Sequence, residues 1–254
     1  MSITLTAIPN IPMIAPGDDL AHIIADALPA SGLALAPSDI LVIAQKIVSK
    51  SEGRAIKLSE VTPSPRALEL AKITQKDARL VEVILSESVE VVRARPGVLI
   101  VRDRRGWVCA NAGVDRSNVD QDDPHSETVL RLPVDPDASA AHLRQDLRER
   151  LGIDVGVIIA DSHGRPHRNG TIGVAIGAAG LPALEDLRGC PDLFGYTLQH
   201  TQVALADLIA SAATLLLGQA SEGTPAVIVR GVPHTQREGA ARELVWPIEM
   251  DLFP

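Results

Sequence analysis

The stretch GVIIADSHGRPHRNG at 156–170 sets β-branched Val157, Ile158 and Ile159 ahead of Asp161 and Ser162. An apolar strand that ends in a carboxylate delivers an oxygen ligand to the carboxyl edge of a sheet, where ligands bind. A polar loop follows, with Arg165 and Arg168 placed to meet anionic oxygens. The segment NAGVDRSN at 111–118 repeats the pattern, with Asp115 just past a glycine. Asp115 and Asp161 together suit a divalent cation and a phosphate group, although the first segment alone reads equally as a strand followed by a solvated turn and the second fits Asx-type turn chemistry.

Two further segments carry the matching charge and backbone. QKIVSKSEGR at 45–54 leaves an apolar strand and turns basic. As a strand it puts Lys46 and Lys50 on one face, and with Arg54 they can neutralise phosphates; a lysine-protected sheet edge fits the same residues. LGQASEGTP at 217–225 is rich in small residues that leave backbone N–H groups open to a phosphate or a base, as does an ordinary helix-to-strand loop.

Other chemistries are absent. There is no GxxxxGK(S/T) phosphate loop. GVAIGAAG at 173–180 has the wrong glycine spacing for a dinucleotide fingerprint and reads as a tightly packed strand. His163 and His167 are four apart, but Pro166 between them argues against a helix, so no histidine zinc site is expected. Ser162 lacks a nucleophile-elbow setting. Asp120, Asp122, Asp123, Asp135 and Asp137 share residues 120–139 with three prolines, without the ligand spacing and glycine of a calcium loop. That segment is expected to be a solvated loop and offers a division between two subdomains.

These residues need elements to hold them. Strands are expected at 40–48, 98–101, 107–114, 154–160, 172–178 and 226–232, each apolar or β-branched and bounded by turn formers. A helix should follow Asp19, with Leu20, Ile23, Ile24 and Leu28 on one face. Ser64-Pro65 reads as an N-cap with proline at the first helical position. Ser139 is a candidate cap for a helix carrying Leu143, Leu147 and Leu151 and stopped by Gly152, and 201–217 reads as a buried helix containing Asp207.

Composition bounds the function. A chain of 254 residues can bury a full core in one domain. A net charge of −8 and an aromatic content of 2% leave neither a basic footprint nor stacking platforms for nucleic acid. Cys109 and Cys190 match no zinc or redox spacing and are expected to be buried free thiols in a reducing compartment. Neither a signal peptide nor a membrane-spanning apolar run is present, so a cytoplasmic protein is expected.

In combination the motifs resemble the coenzyme F-420:γ-glutamyl ligase family. The signposts are IPMI at 11–14 with GDDL at 17–20, QKIVSKSEGR at 45–54, NAGVDRSNV at 111–119, ADSHGRPHRNG at 160–170 and GQASEGTPAVIVRG at 218–231. Five motifs in order are far more specific than any one of them. The resemblance implies a GTP-dependent ligase that joins L-glutamate to the terminal carboxylate of coenzyme F-420-0, a deazaflavin phosphodiester, through an acyl phosphate, with possible γ-linked extension. It implies two divalent ions, magnesium or manganese, with potassium assisting. It also implies an α+β fold of mixed sheets with flanking helices, paired as a two-fold homodimer, and a single ligase domain over 1–254 without a C-terminal reductase domain.

Carried over by position, Asp115 and Asp161 match metal carboxylates and Ser162 a hydroxyl ligand. Gln219 falls where archaeal relatives carry a glutamate ligand, which removes one negative charge but keeps a carbonyl oxygen. Nucleotide contacts map to Ile11, Pro12, Met13, Ile14, Gln45, Lys46, Lys50, Asn118, Leu217, Gly218, Gln219, Ala220, Ser221, Glu222, Gly223 and Thr224. Asp115, Asp161 and Lys50 are the residues expected to carry the chemistry. Two other classes fit the same sites: a metal-dependent nucleotide phosphohydrolase or kinase, and a non-catalytic GTP-binding protein.

Overall fold

The computed structural model describes residues 2–121, 127–235 and 237–251. In chain order the elements are β1 (Thr4–Ala7), α1 (Leu20–Ala30), β2 (Ile40–Ala44), α2 (Gln45–Ser51), β3 (Ala55–Lys57), α3 (Pro65–Thr74), α4 (Ala78–Ser86), β4 (Ser88–Arg95), β5 (Val98–Asp103), β6 (Val108–Ala110) and β7 (Thr128–Leu130). They continue with α5 (Pro136–Leu151), β8 (Gly156–Arg165), β9 (Arg168–Ala179), β10 (Glu185–Asp186), β11 (Gln202–Val203), α6 (Leu205–Leu217) and β12 (Ala226–Arg230). The result is a mixed arrangement of several sheets with flanking helices.

The main sheet has the order β1-β12-β2-β8-β9. Its centre is a parallel pair, β2 beside β8, with Ile40 opposite Gly156 and Ala44 opposite Ala160. Leu41 and Ile43 join one core with α1 and α5, while Ile40 and Val42 join a second core under α6. Burial on both faces explains why β2 and the start of β8 are continuous apolar runs rather than alternating ones. A third core, with Leu58, Leu70, Ile84, Leu99 and Val101, lies between α3, α4 and a three-stranded sheet of order β4-β5-β6.

Edge strand β9 is sealed by carboxylates from the helices. Asp207 of α6 accepts from Ala175 N at 2.8 Å, and Asp137 of α5 accepts from Ala178 N at 3.0 Å. An edge strand exposes unpaired N–H groups that need such partners. This accounts for an aspartate inside an otherwise apolar α6. A register shift between Ile159 and Ala160 sets Gly173 against Ala210 of α6 and Gly177 against Pro136 of α5. The glycines of GVAIGAAG thus serve close packing on two faces.

Several boundaries differ from expectation. The strand expected at 40–48 stops at Ala44, and α2 takes over at Gln45. Lys46 and Lys50 still share a face, as an i,i+4 helical pair. The strand expected at 107–114 is shortened to β6, followed by a tight turn at Asn111–Gly113 with Asn111 and Ala112 at positive φ. No loop follows Asp161: β8 runs on to Arg165 and pairs with β9 as a hairpin. Asp135, not Ser139, caps α5, its side chain accepting from Ala138 N at 3.1 Å, because Pro136 occupies the first helical position. The helix expected at 201–217 starts at Leu205, and the loop expected at 120–139 contains β7 and the first turn of α5. Asp122 and Asp123 lie outside the described residues. α1 and α3 begin at the expected caps, Asp19 and Ser64.

Among the described residues no helix is long and apolar enough to cross a membrane. Both cysteines are free, but Cys190 is exposed because it lies in an irregular segment outside the three cores.

Gly177→Ala should destabilise the protein by about 1–3 kcal/mol, because a Cβ there meets the Pro136 carbonyl, whose helix cannot retreat without opening the core. Urea unfolding of both forms measures it. A midpoint shift near zero would show that α5 does not close on β9 as described.

Candidate functional site

The sheet topology brings four segments to one edge. β2 ends at Ala44, and its parallel neighbour β8 continues past Ala160 to Asp161. β12 is antiparallel to β2, so it begins there, with Ala226 opposite Ile43. β1 is antiparallel to β12 and ends there, with Ala7 opposite Val227. Residues 11–14, the start of α2, Asp161 and residues 217–224 therefore surround one edge. The segment after β6 closes over it, with Asp115 bridged to Leu130 and Asn118 donating from Nδ2 to Ala220 O at 2.8 Å.

A cleft of about 1610 Å³ results, and every residue carried over as a metal or nucleotide contact lines it, from Ile11 to Thr224. Two residues read as cations for phosphate are placed elsewhere. Arg54 donates to Glu87 Oε1 and Leu132 O, each at 2.8 Å. Arg168 opens β9 on the exposed hairpin and is not part of the cleft lining, whereas Arg165 is.

Asp115 is held tightly. Its Oδ2 accepts from Lys46 Nζ at 2.6 Å and from Ser117 Oγ at 2.5 Å, while Oδ1 accepts from the backbone N of Arg116 and Ser117 at 2.7 and 3.0 Å. Burial pushes its pKa up, but the Lys46 ammonium and the Ser117 donors outweigh this and bring it down to about 2. Both oxygens of Asp115 are thus already engaged by donors. Burial lowers the pKa of Lys50, helped by the like charge of Lys46 and opposed by Asp120.

Asp161 accepts or shares a hydrogen bond with His163 Nε2 at 3.0 Å, both side chains being largely buried on one face of β8. Ser162 lies between them in sequence and so points from the other face; it is exposed. Cys109 has its pKa pushed up to about 12 by burial and by Asp103 and Asp161, so it is a neutral thiol and no nucleophile at pH 7. Gln45 is buried, with Oε1 accepting from Ser49 Oγ at 2.8 Å, which leaves its amide nitrogen for other partners. Gln219 is exposed on the cleft wall, next to Ala220, whose N donates to Glu222 Oε2 at 2.8 Å.

The donors in the cleft are oxygens. Two carboxylates, with the serine hydroxyl and the glutamine carbonyl, suit a hard cation. Among the described residues no group of three or more His, Cys, Asp and Glu side chains is gathered as a metal site. Asn111 Oδ1 and Arg165 Nε, also in the lining residues, are buried without a hydrogen-bond partner and are open to a ligand.

One wall of the cleft was not anticipated. Val92, Arg93, Arg95, Val98, Ile100 and Val108 belong to β4, β5 and β6. The signal for it was Arg95-Pro96-Gly97 between two β-branched runs, a hairpin pattern.

The family model described as F420-0:Gamma-glutamyl ligase matches residues 9–231. Coenzyme F420:L-glutamate ligase of Methanothermobacter thermautotrophicus is 46% identical over 255 residues, covering 100% of this chain and 99% of that protein. The protein of the same name from Methanopyrus kandleri is 52% identical over 244 residues, covering 94% and 93%. That from Methanocaldococcus jannaschii is 45% identical over 215 residues, covering 85% and 84%.

Asp115 should stay ionised through the neutral range and down to about pH 3, since a lowered carboxyl pKa favours the folded form above the unfolded value and that contribution is lost only as pH falls below the unfolded value and through the folded one, about 2. In Lys46→Gln the titration should move up, because burial is then less opposed. Carboxyl carbon NMR of Asp115 in both proteins reads this; an unmoved midpoint would remove Lys46 as the cause.

Proposed function

The chain belongs to the F420-0:gamma-glutamyl ligase family, and on that premise we propose that it couples GTP cleavage to amide formation between L-glutamate and coenzyme F-420-0. The observation that supports the reading is that Asp115 and Asp161, held on separate elements, line one cleft with Lys46, Lys50 and residues 217–224.

The chemistry follows from the poor leaving ability of a carboxylate oxygen. The terminal carboxylate of the acceptor attacks the γ-phosphorus of GTP, the bond to the bridging oxygen breaks and GDP leaves. The glutamate amine then attacks the acyl carbon, the carbon–oxygen bond breaks, inorganic phosphate departs and the nitrogen loses a proton. Residues 11–14 and 217–224 would hold the nucleotide, with Asn118 fixing the second loop through Ala220. Lys50 and Arg165 would add positive potential where charge moves between phosphate oxygens. Asp115, Asp161, Ser162 and Gln219 would hold two magnesium or manganese ions, with potassium alongside. Bound there, the metals would offset the charge of the phosphates.

The reading includes a homodimer in the cytoplasm. What supports pairing is the segment carrying Leu193, Phe194 and Tyr196, which are 98%, 95% and 62% exposed.

With GTP, magnesium or manganese, L-glutamate and coenzyme F-420-0, mass spectrometry should find an acceptor heavier by one or more glutamyl units, dependent on GTP. GDP without glutamylated product would favour a phosphohydrolase or kinase, and no GDP a binding protein. Asp161→Asn should lower turnover by at least about 100-fold while the fold stays intact; full activity would remove Asp161 from the metal site. Gln219→Glu should lower the metal concentration needed for half-maximal rate, since it adds a charged oxygen ligand. An unchanged metal titration would count against a ligand role for residue 219.

A further inference from the structure

The cleft has a second wall that the nucleotide and metal residues do not use. Cross-strand register defines it: Arg93 faces Ile100, which faces Ala110; Arg95 faces Val98; and Arg102 faces Val108. The alternate residues, including Leu99, Val101 and Ala94, turn the other way and pack on α3 and α4. The face carrying Arg93, Arg95, Val98, Ile100, Val108 and Ala110 is left open to the cleft. It is an apolar sheet surface with two arginines on its outer strand.

Those arginines have no structural employment. Both are exposed, and neither side chain has an ion-pair or hydrogen-bond partner among the described residues. Arg104, Arg148 and Arg168 are likewise exposed without a carboxylate partner among the described residues, but they lie outside the cleft, whereas Arg93 and Arg95 line it. Unpaired guanidinium groups beside an apolar face suit a ligand with a flat apolar body and negative charge. The wall is also continuous with the segments that carry Asp115 and Asp161. β6 runs straight into Asn111–Gly113 and Asp115, and it packs against β8, which carries Asp161. Three strands span about 10 Å, the width of a fused ring system.

We propose that this face is the acceptor subsite, an inference that takes the ligase reading as its premise. The apolar row of Val98, Ile100, Val108 and Ala110 receives the ring portion of the acceptor. Arg93 and Arg95 bind its negative charge and set its direction, so that the terminal carboxylate reaches Asp115 and Asp161. The nucleotide approaches from the opposite wall, and the two substrates meet at the end of β8.

The test uses the full chain and the double variant Arg93→Gln/Arg95→Gln, whose removed charges have no partners to strand. Binding of coenzyme F-420-0 without GTP or metal, followed by the optical signal of its ring, should weaken by about 10-fold or more, the loss of charge-assisted hydrogen bonds. In turnover the acceptor KM should rise by a similar factor, with KM for GTP and for glutamate unchanged. A second variant, Ile100→Glu, should also raise the acceptor KM by placing a carboxylate in the wall. Unchanged acceptor affinity in the double variant overturns the proposal, as does a rise in KM for GTP instead. Wild-type protein that binds the acceptor but never glutamylates it would defeat the ligase reading, leaving the subsite to be decided by the binding comparison alone. Wild-type protein that fails to bind the acceptor overturns the subsite.

Discussion

The parallel pairing of β2 with β8 is the constraint from which the rest follows. Two parallel strands deliver their carboxyl ends to the same edge of a sheet, and loops at that edge form a crevice. Here β2 ends at Ala44 and β8 runs past it, so Asp161 is the first β8 residue beyond the paired stretch. The antiparallel additions β12 and β1 then have no freedom: one must begin and the other must end at that edge. Four segments distant in sequence are brought together by hydrogen-bond register alone, before any side chain contributes.

A second constraint orients the small sheet over that edge. Glu87 accepts from Arg54 at 2.8 Å and Arg105 at 3.4 Å, and Arg105 also donates to the fully buried Asp103 at 2.8 Å and to Pro133 O at 2.6 Å. Arg131 lies 3.6 Å from Glu87, with its pKa lowered by burial and by Arg54. Buried ion pairs add little net stability because desolvation offsets the attraction, but losing one partner costs about 3–5 kcal/mol. Such a cluster therefore rejects alternative packings more than it strengthens this one. It joins the end of α2, the turn into β4 and the end of β5, which are the elements carrying Lys46, Lys50 and the apolar wall.

Much of this was legible in the chain. Apolar runs gave β2, β8 and β12, and cap residues gave α1 and α3, because those signals are local. The residues gathered in the cleft were marked by motif. What escaped depended on partners far away in sequence. Gln45 to Lys50 have the β-branched content of a strand, yet β2 stops at Ala44, and α2 packs against α1 and β8. The polar residues after Asp161 look like a loop, but β9 supplies a strand for them to pair with. Arg54 resembles a phosphate ligand until Glu87, 33 residues on, is found against it. Arg93 and Arg95 were silent because charge on an edge strand ordinarily means solvent.

The charge carried by the cleft bears on how a triphosphate could enter it. Its lining holds the cations Lys46, Lys50, Arg93, Arg95 and Arg165 against the carboxylates of Asp115, Asp120, Asp161 and Glu222. Lys46 is committed to Asp115 at 2.6 Å, so its charge is largely cancelled where it stands. The side chains are thus close to neutral as a set, in a protein whose net charge is −8. GTP and an anionic acceptor brought together there would repel one another and both aspartates, at an effective dielectric below that of water. Under the proposed reading, divalent cations held by the aspartates would offset that repulsion. The distribution of side-chain charge matches this division. Asp115, Asp161 and Glu222 share the cleft with residues 11–14 and 217–224, the proposed nucleotide side, where metal would supply positive charge, and Arg93 and Arg95 stand on the β4–β5 wall, where the phosphate of the proposed acceptor would meet hydrogen-bond donors.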